Sequence, residues 1–106
     1  MPLTRDFKDT VMARVQRDPA FRSALLVEAT DAFLGGDIDS GKALLRDYLN
    51  ATAALPAIAA ELNLNEKSLR RMLGPGGNPT LKNFINLLTA CSRIEHVQLR
   101  VCQHGS

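Results

Sequence analysis

Tryptophan is absent from this 106-residue chain, tyrosine occurs once and phenylalanine four times. Aliphatic side chains must therefore fill most of a core, and an apolar fraction of 45% supplies enough of them. No apolar run reaches the roughly 20 residues that a membrane-crossing helix needs. Met1-Pro2-Leu3-Thr4-Arg5-Asp6 lacks the apolar stretch of a secretion signal. The expected location is the cytoplasm, with no membrane partner. Cysteine is scarce as well. Cys91 and Cys102 form no CxxC pair and read as free thiols. His96, Cys102 and His104 share a short tail and do not make a four-ligand zinc set, so neither metal nor other cofactor is expected. There is no constrained pair of carboxylates and no Cys-His pair in a nucleophilic setting. Gly74-Pro75-Gly76-Gly77 is not followed by Lys-Ser/Thr, so it reads as a turn between helices and not as a phosphate loop. An enzyme is not indicated.

A strong charge is also missing, since the net value is only +2, but its distribution is uneven. Residues 1–52 carry seven Lys/Arg against eight Asp/Glu. Residues 53–93 carry Lys67, Arg70, Arg71, Lys82 and Arg93 against Glu61 and Glu66 alone. The basic excess lies in the middle of the chain, where it could meet a polyanion or simply be a solvated helix face.

What is present is mostly helical punctuation. Phe7, Val11 and Val15 recur every four residues, which predicts a first amphipathic helix over Asp6–Arg17. Asp18-Pro19 is an N-cap followed by proline at the first helical position. A second helix follows to about Leu34, with Phe21, Leu25, Ala29 and Ala32 or Phe33 inward, and Gly35-Gly36 stops it. Asp37 or Asp39 caps a third helix ending near Asn50, with Leu44, Leu45, Tyr48 and Leu49 inward. A fourth runs from Leu55-Pro56 to Leu62, and Asn65 caps a fifth, Glu66–Leu73. The Gly/Pro-rich stretch 74–79 must be a loop. Pro79 or Thr80 opens a sixth helix with Leu81, Phe84, Ile85, Leu87 and Leu88 as its buried stripe. In the tail, Val97, Leu99 and Val101 alternate with polar residues, the period of a strand. A lone strand needs a partner, most simply the same strand of a second copy; a frayed terminus is the other reading. The fold class expected is mainly α: a five- to six-helix bundle containing a helix-turn-helix, with one C-terminal strand pairing across a dimer. The expected divisions are a helical pair over 1–36, a core over 37–93 and a tail over 94–106.

Ala54–Leu73 carries the functional argument. Two short helices flank the turn Asn63-Leu64-Asn65, and the first is only two turns long, so it must pack on the second to persist. Ile58, Leu62, Leu64, Leu69 and Leu73 can supply a shared core, and Ala59 permits a close crossing. Asn63 sits where the chain reverses, and Asn is the non-glycine residue that best tolerates positive φ. This is helix-turn-helix grammar. Asn65, Glu66, Lys67 and Ser68 form the N-terminal turn of the second helix, the part that reaches base edges. Arg71 follows Lys67 by four residues on the same face, and both can donate to guanine O6 and N7. Glu66 can accept from cytosine N4, and Arg70 is angled toward a phosphate or a base. Thr80, Lys82 and Asn83 at the next helix start could hold the DNA backbone, and Asn78 is a further candidate DNA-binding residue. Pattern alone leaves a second reading open: a packing hairpin with a charged outer face.

The run Ile58-Ala59-Ala60-Glu61-Leu62-Asn63-Leu64-Asn65-Glu66-Lys67-Ser68-Leu69-Arg70-Arg71-Met72-Leu73, followed by Asn78-Pro79-Thr80, resembles the helix-turn-helix of Xre-type (Cro-like) repressors. By position, Glu66, Lys67, Ser68 and Arg71 match the base-reading places of that family. Two residues depart from it. Leu55 stands where a polar residue, commonly Gln, would contact DNA, and Asn63 replaces the usual turn Gly. Asp6-Phe7-Lys8, Arg17-Asp18-Pro19-Ala20-Phe21, Gly41-Lys42-Ala43-Leu44-Leu45-Arg46-Asp47-Tyr48, Ser68–Pro75 and Asn78-Pro79 together resemble the addiction-module antidote family, the HigA-like antitoxins. That resemblance implies a dimeric protein that neutralises a RelE/HigB-type ribonuclease toxin and binds the double-stranded operator of its own operon. Helices over residues 6–34 lie outside the repressor core and are the candidate toxin-facing surface, or else an extra packing layer. A stand-alone Xre-type repressor and an interaction module without DNA binding are the competing readings.

Overall fold

The computed structural model describes residues 12–105. Regular structure among them is entirely helical: α1 (residues 12–17), α2 (Pro19–Leu34), α3 (Ile38–Thr52), α4 (Leu55–Glu61), α5 (Glu66–Met72) and α6 (Leu81–Ile94). The start of the helix expected over Asp6–Arg17, with Phe7 and Val11, lies outside the described residues. Val15 is fully buried.

Local chemistry sets the boundaries. The Asp18 carboxylate accepts from the backbone N–H groups of Ala20 and Phe21, and Pro19 supplies a preset helical φ. α2 ends where Gly36 takes φ +86°, which lets the Asp37 N–H donate back to the Ala32 carbonyl at 2.8 Å. Asp37 then caps α3 by accepting from Ser40 N–H. α4 has no side-chain cap, but Pro56 sits in its first turn.

One core joins all five helices from α2 onward. Leu26 and Ala29 of α2, Leu45, Tyr48 and Leu49 of α3, Leu55, Ile58 and Ala59 of α4, Leu69 of α5, and Leu87, Leu88, Ala90 and Cys91 of α6 pack together. Each fully buried aliphatic side chain is worth about 1.5–3 kcal/mol. Val15, Leu25 and Ala51 form a smaller satellite cluster. Gly41 lets α3 approach Phe33 so closely that a Cβ there would lie 2.8 Å from the ring. The same ring meets Phe84 edge-on, with centroids 4.4 Å apart, and so links α2, α3 and α6.

Three readings from the sequence are corrected. The C-terminal strand of Val97, Leu99 and Val101 does not form; residues 97–105 carry no regular structure. α6 ends with His96 at φ +56° and with the Val97 N–H donating to the Ser92 carbonyl, so the first residue of the supposed strand closes a helix. The alternation then has no ladder to serve. Leu99 packs against the chain's own core, while Val101 is 82% exposed. The stripe on α6 is also shifted. Leu81 and Ile85 are exposed, and Leu87, Leu88, Ala90 and Cys91 carry the burial. Leu64, assigned to the shared core of the turn, is half-buried at the edge of a surface concavity.

Candidate nucleic-acid interface

Helix-turn-helix geometry begins with the turn. Leu62 is the C-cap of α4, after which Asn63 adopts φ +60°. This allows the Asn63 N–H to donate to Ala60 O at 3.1 Å and the Leu64 N–H to Ala59 O at 2.9 Å. A β-branched residue could not take that φ without strain, and Asn takes it at little cost. Asn65 then caps α5, its side-chain oxygen accepting from Ser68 N–H at 2.6 Å. Neither seven-residue helix could persist alone in water. Ile58 and Ala59 on one side and Leu69 and Leu73 on the other fasten them to the common core.

Leu69 points inward and Met72 packs at the edge of the core, while the charged residues of α5 are turned out. Glu66, Lys67, Arg70 and Arg71 are exposed and Ser68 is half-buried. Arg70 lies 3.9 Å from the Glu66 carboxylate one turn earlier. An exposed pair of this kind is worth about 0.3–0.5 kcal/mol, so it would give way readily to a phosphate. Lys67 and Arg71 have no ion-pair partner among the described residues. Arg93 and Glu61 pair with each other, linking α6 to the end of α4. The basic excess of the middle segment therefore narrows to Lys67, Arg70, Arg71 and Lys82 against Glu66.

α6 starts beside α5. Thr80 caps it, its hydroxyl oxygen accepting from Asn83 N–H at 3.1 Å, which leaves the hydroxyl proton free to donate. Ser68, Arg71, Asn78, Thr80 and Asn83 line one shallow concavity together with Leu64, Met72 and the 75–77 loop. Five of the ten candidate residues thus converge on a single surface. Glu66, Lys67 and Arg70 stand on the exposed side of α5, Lys82 is exposed in the first turn of α6, and Asn65 spends its oxygen on the cap, keeping only its amide N–H groups for a ligand. Chemically, the surface combines the guanidinium donors of Arg71 with hydroxyl and amide groups of Ser68, Asn78, Thr80 and Asn83 that can both donate and accept. Leu55, which stands where repressors commonly carry a polar contact residue, is 5% exposed and belongs to the core.

Two charged residues that matter here were missed in the sequence. Lys42 is 4% exposed, and its Nζ donates to the carbonyls of Gly74 at 3.0 Å and Gly77 at 2.8 Å. The available signal was its place on the inward face of α3, three residues before Leu45 and seven before Leu49. Glu95 accepts from Arg22 Nε at 2.9 Å and from the Tyr48 hydroxyl at 2.6 Å. Arg22 also donates to the carbonyls of Val15 and Gln16 at the end of α1. Nothing local to residue 95 signals a partner 73 positions away. Comparisons with protein-family models, curated proteins and solved structures return no match for this chain.

Proposed function

We propose that this chain is a DNA-binding antitoxin of a toxin–antitoxin module: it represses its own operon through α5 and neutralises a RelE/HigB-type toxin. The DNA-binding half of this reading is carried by one observation. Two helices, each too short to stand alone, are held by the core across a positive-φ Asn63, and they present Lys67 and Arg71 outward without ion-pair partners among the described residues. A packing hairpin has no need for Arg71 gathered with Asn78, Thr80 and Asn83 on one surface. The antitoxin half rests on the resemblance of the segments from Asp6 to Pro79 to HigA-like proteins. In this reading the protein is cytoplasmic, non-enzymatic and dimeric, and its two copies of α5 meet half-sites about one DNA turn, or a multiple, apart.

Lys67 and Arg71 read base edges in the major groove, Glu66 adds a preference for cytosine, and Arg70 turns between Glu66 and a phosphate. Thr80, Lys82, Asn83 and Asn78 hold the backbone and set the register. Binding to the duplex upstream of the chain's own reading frame, followed by fluorescence anisotropy, tests the first half. Arg71→Ala should weaken it by about 1–3 kcal/mol and relax discrimination at one base pair. Unchanged affinity would remove α5 from the interface. Growth rescue on co-expression with the adjacent reading frame tests the second half. DNA binding without rescue would leave a stand-alone Xre-type repressor.

A further inference from the structure

The contact surface described above is assembled from two pieces, α5 and the start of α6, and the segment between them is poorly suited to fixing their distance. Gly74, Gly76 and Gly77 give it wide conformational freedom, which costs entropy to freeze. Within the segment the Gly77 N–H donates to Gly74 O at 3.0 Å, and the Gly74 N–H donates to Arg71 O at 3.1 Å. Among the described residues, the hydrogen bonds that reach residues 74–79 from another part of the molecule are those of Lys42. That ammonium grips the loop at both ends of its tight turn, while Asp39 Oδ1 lies 3.7 Å away. Its own helix is immobilised by Leu45, Tyr48 and Leu49 in the core. Gly77 also presses on the carbonyls of Arg71 and Met72 so closely that no Cβ would fit.

Burying an ammonium is expensive unless its donors are satisfied, and merely closing a loop does not call for a charge. Holding contact groups to within a fraction of an ångström does call for a rigid anchor. We propose that Lys42 is a positioning residue for DNA contact: by clamping Gly74 and Gly77 it fixes Asn78, Thr80 and Asn83 relative to Ser68 and Arg71, so that backbone and base contacts are made in one register. This role rests on the DNA-binding reading. Lys42 itself is covered by the loop and touches no ligand.

The test uses the full chain, with Lys42→Met keeping the stem and removing the donors. Hydrogen exchange is followed at the Gly77 and Asn83 amides and at core amides such as Leu26 and Leu49. The duplex upstream of the reading frame and a scrambled duplex are titrated in parallel. Exchange at Gly77 and Asn83 should quicken about tenfold or more with core protection retained, as expected for losing hydrogen bonds to a charged group. Affinity for the upstream duplex should fall by about the same factor while affinity for the scrambled duplex changes less, because register is lost and most of the surface charge remains. Unchanged loop exchange overturns the proposal, as does quickened exchange with undiminished affinity, or an equal loss on both duplexes. A wild-type chain that binds neither duplex sinks the DNA-binding reading itself, a result distinct from these. Should Lys42→Met fail to fold, Lys42→Gln, which keeps a neutral N–H donor on a shorter stem, is measured in its place, and the same pattern of losses is expected.

Discussion

The α2–α3 pair and the α4–α5 pair are both helices joined by a short turn, yet they handle charge in opposite ways. α2 and α3 run for 16 and 15 residues and turn two cations inward. Arg22 is held by Glu95 and by two carbonyls of α1, and Lys42 is held by two carbonyls of the glycine loop. α4 and α5 have seven residues each, bury only aliphatic side chains and turn their cations outward. The difference separates two tasks. The long pair spends charge on joining distant parts of the chain, with the carboxylate of Glu95 collecting Arg22 and Tyr48 across α2, α3 and the end of α6. The short pair borrows its stability from that frame and leaves Lys67 and Arg71 without ion-pair partners among the described residues.

If that division holds, the largest effect on folding should come from the long pair's polar centre. Glu95→Ala would strand Arg22 in a mostly buried site and leave the Tyr48 hydroxyl without its acceptor. The expected loss is about 3–5 kcal/mol by urea denaturation. A loss under about 1 kcal/mol would mean that solvent already carries the arginine, and the contrast between the two pairs would dissolve.

Alkaline pH probes the same region more gently. Burial first, then the charges of Glu95 and Glu61, pushes the Cys91 thiol up to about 12 from its ordinary 9.0. Burial, and then its hydrogen bond to Glu95, raises the Tyr48 phenol as well. Both groups are neutral in the folded chain at a pH where the unfolded chain has begun to lose their protons. Their contribution is therefore intact below about pH 9 and declines as pH climbs toward 12. Urea midpoints measured across that window should fall, and Cys91→Ala should flatten the decline. A midpoint that stays level up to about pH 11 would break the argument. Over the same range, Cys102, which is exposed, should alkylate in the native protein while Cys91 does not.

The smallest effect belongs to the short pair. Asn65→Ala removes the acceptor for Ser68 N–H and should cost about 1 kcal/mol of stability. If α5 reads DNA as proposed, its consequence for operator binding should be larger than its consequence for folding, since the capped turn would then lie against the duplex. Equal losses in both would mark α5 as structural only and would sharpen the contrast in the other direction.

Much of the architecture was legible because it is written locally. Asp18-Pro19, Asp37, Asn65 and Thr80 bound their helices through contacts that span two or three residues, and the proline and glycine signals fell where the chain turns. Asn63 was legible for the same reason, since its left-handed φ is a property of the residue and the reversal around it. The α6 stripe was misread because Leu81 and Ile85 share a helical face that no neighbour among the described residues covers, and periodicity does not reveal which apolar face a neighbour will cover. The tail was misread because alternation describes a side-chain pattern, whereas a strand also requires a ladder partner, and the tail begins by closing α6.

The amino-acid sequence by itself determined most of the helix boundaries from α2 onward, the positive-φ turn at Asn63, and the surplus of cations between residues 53 and 93, because each depends on neighbours in the chain. Only the tertiary structure decided which cations remain available. Arg93 is paired with Glu61, and Lys42 is spent on the glycine loop, whereas Lys67 and Arg71 lack ion-pair partners among the described residues. The physical reason is that a charge is consumed by whatever opposite charge or carbonyl the fold brings within hydrogen-bonding distance, and those partners lie 32 or 35 residues away along the chain.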